Sequence, residues 1–539
     1  MVKTYTEIKE KNFRPLPNPL LPRRGDQWYL SLWESSGEKE LLLARPSGRG
    51  LGRGNRLNLE INMNTFYWFD FETFGANPAK DKPSQFAGIR TDYDFNIIDD
   101  PINIYCKPSN DFIPHPEACL ITGITPQKAL QNGLCERDFF HEIHMQISEP
   151  NTCSVGYNNI RFDDEIIRHG FYRNFYDAYA REWQNGNSRW DIIDLLRMTH
   201  ALRPEGIEWP VVEDGIVSFR LELLSKANGI EHEDAHDALA DVHATINMAK
   251  LVKQKQAKLY DYLFSLRDKR LVMAEIDLVN HKPFVHCSGM LGNTHQYTGI
   301  MMPLAKHPTN KNSVICIDLT RSFADLENLS SEQISERVFI RQDELPDGIE
   351  RLAIKEVHYN KCPAVAPLGV LDEASQKRLK INLNECLERA NQIKMFIKPL
   401  ANKLLDVYQS KVFEPITNPD HALYSGGFFG TADKNKMEQI RDADWQSLAK
   451  SHYQFSDNRL EELLFRYRAR NSIDSLNESE LKRWDSLRNS QFMTDESGST
   501  LIYSEFKEVV KSLKEDGHDA FILEQVEEYV EAITSDLDV

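Results

Sequence analysis

The chain has 539 residues, with 64 Lys and Arg against 82 Asp and Glu and a formal net charge of −18. That length exceeds what one hydrophobic core organises and predicts about three or four domains. The acidic balance excludes a protein that coats nucleic acid through bulk positive charge, so any polyanion must meet a local basic groove. The eight cysteines are dispersed, with no Cys-x-x-Cys pair and no His cluster at zinc-like spacing, which predicts a reducing cytoplasm and no structural zinc. No apolar run is long enough to span a bilayer, and the N-terminus lacks the apolar core of a signal peptide.

Residues 1–62 are crowded with Pro, Gly and Arg and carry 11 basic against 7 acidic residues. Such a segment buries little and is expected to be a disordered or non-native extension. It reads either as a flexible DNA-attracting arm or, the favoured reading, as upstream sequence read through to an earlier start, since Met63 directly precedes the first strand. Deleting residues 1–62 is then expected to leave activity and stability intact.

From 64 to 255, short β-type runs alternate with amphipathic helical patterns, the signature of an α/β layer fold. Strands are predicted at 67–71, 86–91, 102–107 and 152–157. Helices are predicted at 163–171, 191–202, 221–228 and 237–254, the last with Lys250, Lys253, Lys255 and Lys258 near its C-terminal end, where cations suit the dipole. Residues 257–410 are richer in β-type segments, such as 313–319 and 352–358, and predict a second, β-containing domain. From 413 to 535 the pattern is nearly all helical, with 460–470 and 503–513 as clear helices. Residues 514–539 hold nine acids, so that face is expected in solvent rather than on DNA.

The first strand, Phe-Tyr-Trp-Phe-Asp-Phe-Glu-Thr (66–73), places Asp70 and Glu72 on one face of an otherwise apolar segment. Two ionised carboxylates without partners in a buried sheet are costly, and a divalent cation with a taste for hard oxygen ligands compensates them. An edge strand with a polar face is the other reading of this pair alone. A third acid, Asp163, follows a predicted strand end and opens a helix, where it either joins that site or caps the helix. The fourth candidate is stronger: His236 starts a helix and Asp241 lies inside it among Ala, Leu and Val, a position that helix propensity disfavours and ligation explains.

In order along the chain, Asp70-x-Glu72, Asp163 and His236 with Asp241 resemble the three motifs of the DEDD superfamily of 3′–5′ exonucleases, in the subgroup whose last motif carries histidine. Residues 64–535 are similar to the bacterial exonuclease I family. The strings that carry this likeness include Asp-Phe-Glu-Thr-Phe-Gly (70–75), Leu-Ile-Thr-Gly-Ile-Thr-Pro-Gln (120–127), Gly-Tyr-Asn-Asn-Ile-Arg-Phe-Asp-Asp-Glu (156–165) and Phe-Arg-Tyr-Arg-Ala-Arg-Asn (465–471).

The resemblance implies a ribonuclease-H-like α/β exonuclease domain at 64–255, an SH3-like domain at 257–410 and an all-helical C-terminal domain at 413–535. It implies two-metal hydrolysis of single-stranded DNA from the 3′ end, releasing 5′-mononucleotides, with two Mg²⁺ ions (Mn²⁺ also accepted) and a role in recombination and mismatch repair. Asp70 would touch both metals, Glu72 and Asp241 would complete one site, Asp163 would serve the other largely through water, and His236 would act as general base. Contacts to the strand would come from Glu72, Arg168, Tyr179, Trp183, Arg197 and Arg220, and further out from Asn312, Lys355 and Asn360. Arg203, Tyr262 and Lys282 would receive the acidic C-terminal tail of single-stranded-DNA-binding protein. The stretch Ala-Val-Ala-Pro-Leu-Gly-Val-Leu-Asp (364–372) lacks the polar and basic residues expected beside that tail, which predicts a weaker or rearranged tail site. The enzyme would be a cytoplasmic monomer with no membrane contact, its groove admitting one strand. An exoribonuclease or proofreading module sharing the metal site is the runner-up, disfavoured by the extra domains. A non-catalytic DNA-binding scaffold is disfavoured by the complete acid and histidine set.

Overall fold

The strand that carries Asp70 and Glu72 lies at the centre of a mixed five-stranded sheet. The structure, a computed structural model, describes residues 64–537 apart from 213–214, 232–235, 324, 411–415 and 495–498, together with the backbone of two earlier strands. Those two, β1 (Tyr29–Ser35) and β2 (Glu38–Ala44), pair antiparallel within residues 1–61. The rest of 1–62, and the expectation placed on it, lies outside the described residues.

The central sheet contains β3 (Thr65–Thr73), β4 (Pro83–Thr91), β5 (Ile102–Tyr105), β6 (Thr152–Gly156) and β7 (Ser188–Asp191) in the order β5-β4-β3-β6-β7. β4 runs antiparallel to both β3 and β5, whereas β6 is parallel to β3 and to β7. Its helices are α1 (Pro116–Thr122), α2 (Pro126–Asn132), α3 (Glu136–Ile147), α4 (Asp163–Arg173), α5 (Ile192–Leu202), α6 (Leu221–Ala227) and α7 (Ala238–Lys255). They cover both faces, as crossover connections between parallel strands require. Phe66, Trp68, Ala87 and Ile89 pack with Leu196 of α5 and Val242 of α7, while Tyr67, Phe69, Phe71 and Phe86 pack with Phe139 and Phe140 of α3 and Ile166 and Phe171 of α4.

The next region opens with α8 (Ala257–Ser265) and α9 (Lys269–Glu275). Five antiparallel strands follow: β8 (Phe284–Cys287), β9 (Thr298–Lys306), β10 (Ser313–Asp318), β11 (Ile354–His358) and β12 (Ala364–Pro367), in the order β11-β10-β9-β8-β12. It is more helical than its β-type runs suggest, since α10 (Ser331–Phe339), α11 (Glu373–Leu379), α12 (Leu383–Met395) and α13 (Ile397–Gln409) interrupt and follow the sheet. Its core is continuous with that of the first region, for Cys287 of β8 meets Met198 of α5.

Beyond 416 the described chain is helical: α14 (Thr431–Asp442), α15 (Trp445–Lys450), α16 (Arg459–Asn471), α17 (Glu478–Met493), α18 (Tyr503–Glu515) and α19 (Ala520–Thr534). It packs against the first region, with Phe492, Val526 and Val530 among Phe74, Ile113 and Ile124. No described helix is long and apolar enough to cross a membrane.

Candidate active site

Strand alternation decides where the acids point. Phe66 and Trp68 face the layer of α5 and α7, and Asp70 and Glu72 continue that series, so both carboxylates turn toward α7. That helix opens beside them. Asp237 caps it, accepting from the Leu239 and Ala240 amides, and Asp241 lies in its first turn. Gln85, opposite Glu72 on the β3–β4 ladder, donates to Asp237 at 3.0 Å and accepts the Ala238 amide at 3.4 Å, which pins the helix start to the sheet. Glu72, His236 and Asp241 bring ligand atoms within 4.8 Å of one another. His236 is exposed and sits in the left-handed region at φ +69°, a conformation that L-residues adopt at a cost and that sites of chemistry often retain.

Asp163 arrives from the opposite layer. It is buried at the first turn of α4 and accepts the Phe71 amide at 3.1 Å, which brings it to the strand between Asp70 and Glu72. Its neighbour Asp164 turns into a buried ion pair with Arg181 and, at 2.8 Å, with Arg189. Against burial, those two guanidiniums hold Asp164 down to about 2. The remaining acids behave in the opposite way. Burial, with the charges of Asp163, Asp241 and Glu72, pushes Asp70 well above the carboxylate range. Burial with Asp241 and Asp163 raises Glu72 to about 9, and burial with Asp164 raises Asp163. Carboxylates crowded in this way form an oxygen-rich set suited to divalent cations.

Of the expected strand contacts, Lys355 lines one cavity and Tyr179 another. A groove of about 600 Å³ between the first and second regions is lined by Arg161, Asp191, Asp194, His286, Lys355 and Lys361, among others. Arg197 is buried beside it, paired with Asp194 at 2.7 Å, while its Nε finds no partner among the described residues. Asn360 passes its carbonyl to Arg189, and Asn312 accepts from Lys269. Arg220 is exposed at the start of α6. The second cavity, about 490 Å³, lies between α4 and the C-terminal region and contains Tyr179. Trp183, 66% exposed, is four residues further along. Every guanidinium nitrogen of Arg168 is engaged: Glu182 takes Nε and Nη2, and Glu165 and Tyr424 take Nη1.

Sequence reasoning missed Gln85 and two aromatics of the second cavity. Tyr424 donates to Glu165 at 2.5 Å, and Phe428, 86% exposed, meets Tyr179 edge to face at 5.6 Å. Both come from a turn some 250 residues away that carries no periodic signal; the run Gly-Gly-Phe-Phe (426–429) is its only mark. Arg203 and Tyr262 also come together, both on the segment 364–372. Arg203 donates to the Val370 carbonyl at 3.3 Å and lies 3.7 Å from Asp372, and the Tyr262 hydroxyl donates to Val365 at 3.1 Å. Arg378, which donates to the Ala201 carbonyl at 2.7 Å, supplies a basic residue there that the sequence reading did not find. Lys282 is exposed.

A ribonuclease-H-like sheet with Asp70, Glu72, Asp163 and Asp241 gathered around β3, and His236 at their edge, defines a metal-dependent nuclease of the DEDD class. Family models agree: "Exonuclease" matches residues 67–249, "Exonuclease I SH3-like domain" 267–410 and "Exonuclease I C-terminal domain" 417–533. The exodeoxyribonuclease I of Haemophilus influenzae is 44% identical over 467 residues, covering 86% of this chain and 98% of that protein. The structure of Escherichia coli exonuclease I with a dA16 oligonucleotide superposes with a TM-score of 0.83 at 44% identity, over 87% of this chain and 100% of that one. A zinc-bound complex of the same enzyme with single-stranded DNA gives 0.83 at 43% identity, over 88% and 100%. The chain belongs to the exodeoxyribonuclease I family.

Proposed function

We propose that the chain removes 5′-mononucleotides stepwise from the 3′ end of single-stranded DNA. The convergence of Asp70, Glu72, Asp163 and Asp241 with His236 carries this reading. Two Mg²⁺ ions, with Mn²⁺ as a substitute, suit this donor set; when bound they supply an activated water and stabilise the departing 3′ oxygen. Asp70 would hold both, Glu72 and Asp241 one, and Asp163 the other. His236, exposed at the rim, takes the proton of the attacking water.

Single-strand selectivity follows from stacking and phosphate contacts rather than base-edge readout. Tyr179 and Trp183, joined by Tyr424 and Phe428, offer ring faces and edges to unpaired bases, while Arg168 acts by fixing Tyr179 and Tyr424. Arg197, Arg220 and Lys355 meet phosphates, Asn312 and Asn360 follow the strand outward, and Glu72 touches the terminal nucleotide. Arg203, Tyr262 and Lys282, with Arg378 beside them, receive the acidic tail of single-stranded-DNA-binding protein. The enzyme works as a cytoplasmic monomer in recombination and mismatch repair. The test is mononucleotide release from a 3′-labelled single strand, its duplex and its RNA equivalent, with and without metal. Metal-dependent release from the single strand alone is expected, and equal rates on duplex and single strand overturn the reading.

A further inference from the structure

The groove between the first and second regions contains a lysine held in an unusual way. Lys355 on β11 projects from the SH3-like sheet, and the acceptor nearest its ammonium is not a carboxylate but the Nε2 of His286 on β8, at 3.4 Å. His286 is 4% exposed, and its Nδ1 lies 3.0 Å from the Ala364 carbonyl of β12. A carbonyl oxygen only accepts, so Nδ1 carries the ring proton and Nε2 presents a lone pair to Lys355. Burial, together with Lys355 and Arg161, holds the His286 imidazole well below its ordinary range and keeps it neutral. Burial and Arg161, which leans on Ser288 at 2.9 Å, lower Lys355 to about 8, while Asp194 and Asp318 oppose them; Glu356 and Lys361 line the same groove. Both His286 and Lys355 line the groove.

We infer that His286 is a positioning residue that fixes the Lys355 ammonium in the groove without setting an opposite charge against it, leaving the ammonium for one phosphate of a bound single strand. A carboxylate in the same place would hold the lysine equally well and cancel the charge that the phosphate needs. The β12 carbonyl sets the tautomer, the tautomer sets the acceptor, and the acceptor aims the lysine. This role rests on the single-strand reading given above.

The two nitrogens of the ring can be imitated separately. Gln at 286 returns an acceptor near the Nε2 position, whereas Asn reaches only the Nδ1 position and the Ala364 carbonyl. The full chain is titrated with a fluorescent single-stranded oligonucleotide in EDTA at several salt concentrations, and melting is recorded for each variant. One phosphate contact contributes about 0.7 to the slope of log K against log salt for a single strand. Lys355→Met and His286→Asn are each expected to flatten the slope by about 0.7. The double variant should be no flatter than Lys355→Met, and His286→Gln should keep the wild-type slope. A merely structural histidine predicts that Asn and Gln shift melting while both keep the wild-type slope, and that result overturns the role. Absence of wild-type binding overturns the single-strand reading and this role together, whereas wild-type binding with an unchanged His286→Asn slope overturns the role alone.

Discussion

Asp70 is the residue on which the centre turns, because strand geometry commits it to a face where Glu72 already points and α7 delivers Asp241. In the metal-free chain that crowding is a destabilising feature. Asp70→Asn keeps the shape and removes one of the opposed charges. It is expected to raise the melting temperature measured in EDTA, abolish the further rise that Mg²⁺ or Mn²⁺ gives the parent chain, and abolish turnover. A parent chain that melts at the same temperature with and without metal contradicts the assignment of these acids as ligands. His236 differs in being exposed and set at the rim. His236→Ala is expected to keep the fold and the affinity for single strands while losing nearly all turnover, about 10²–10⁴-fold for a general base; near-normal turnover removes it from that role.

At the scale of elements, the strand with two acids was readable because ionised groups inside an aromatic run contradict their surroundings. His236 and Asp241 were readable because their helix start is a poor place for them. β7 was not read as a strand: it is four residues long, and its Arg189 and Asp191 look like surface residues until Asp164 and the Asn158 amide are brought to them. Arg168 reads in the sequence as a contact to the strand, and nothing there signals that Glu182, 14 residues away in a turn without periodicity, also engages it. Long-range partners leave no local mark, which is also why Gln85 passed unnoticed. The helix that delivers Asp163 depends on a similarly silent feature. Gly170 of α4 faces the Phe140 ring of α3, and a Cβ there would strike that ring. Phe140 is fully buried among Phe139 and Phe171, so it has nowhere to move. Gly170→Ala improves helix propensity, yet it is expected to cost about 1–3 kcal/mol through overpacking. The denaturant midpoint checks this, and an unchanged or higher midpoint shows that α3 and α4 can part without loss.

Across the whole molecule, the C-terminal helices grip one loop of the exonuclease region. The Trp484 indole donates to the Asn110 side chain at 3.2 Å, Arg488 to the Asn110 carbonyl at 3.1 Å and Tyr529 to the Ser109 carbonyl at 3.0 Å. At the centre Arg470 of α16 bridges Asp111, at 2.7 Å, and Asp420, at 2.5 Å, with all three side chains buried. Removing one member of such a set leaves uncompensated charge and costs about 3–5 kcal/mol. Arg470→Leu is expected to do so, and pH distinguishes this cause from lost packing. In the parent chain, against burial, Arg470 and Lys82 hold Asp111 down to about 2, and Arg470 and Arg466 hold Asp420 well below its ordinary range. Depressed carboxyls contribute stability that is complete above their ordinary value near 3.8 and is lost as pH falls toward 2. His421 beside them, lowered to about 4 mainly by burial, contributes stability present above 6.5 and lost as pH falls through 4. The contribution of this cluster to the parent midpoint should therefore rise from pH 4 to pH 6.5, opposite in sign to that of the raised acids Asp70, Glu72 and Asp163. Without Arg470, burial at Asp111 loses its strongest opponent while Lys82 and Ser109 remain, so the carboxyl is expected to rise and its contribution above pH 4 to shrink or reverse. The denaturant midpoint of Arg470→Leu should rise less than the parent's between pH 5 and 7.5, or fall, and adding Asp111→Asn should restore part of the rise. An equal loss at both pH values would assign the cost to packing and leave the ion-pair account of the domain junction without support.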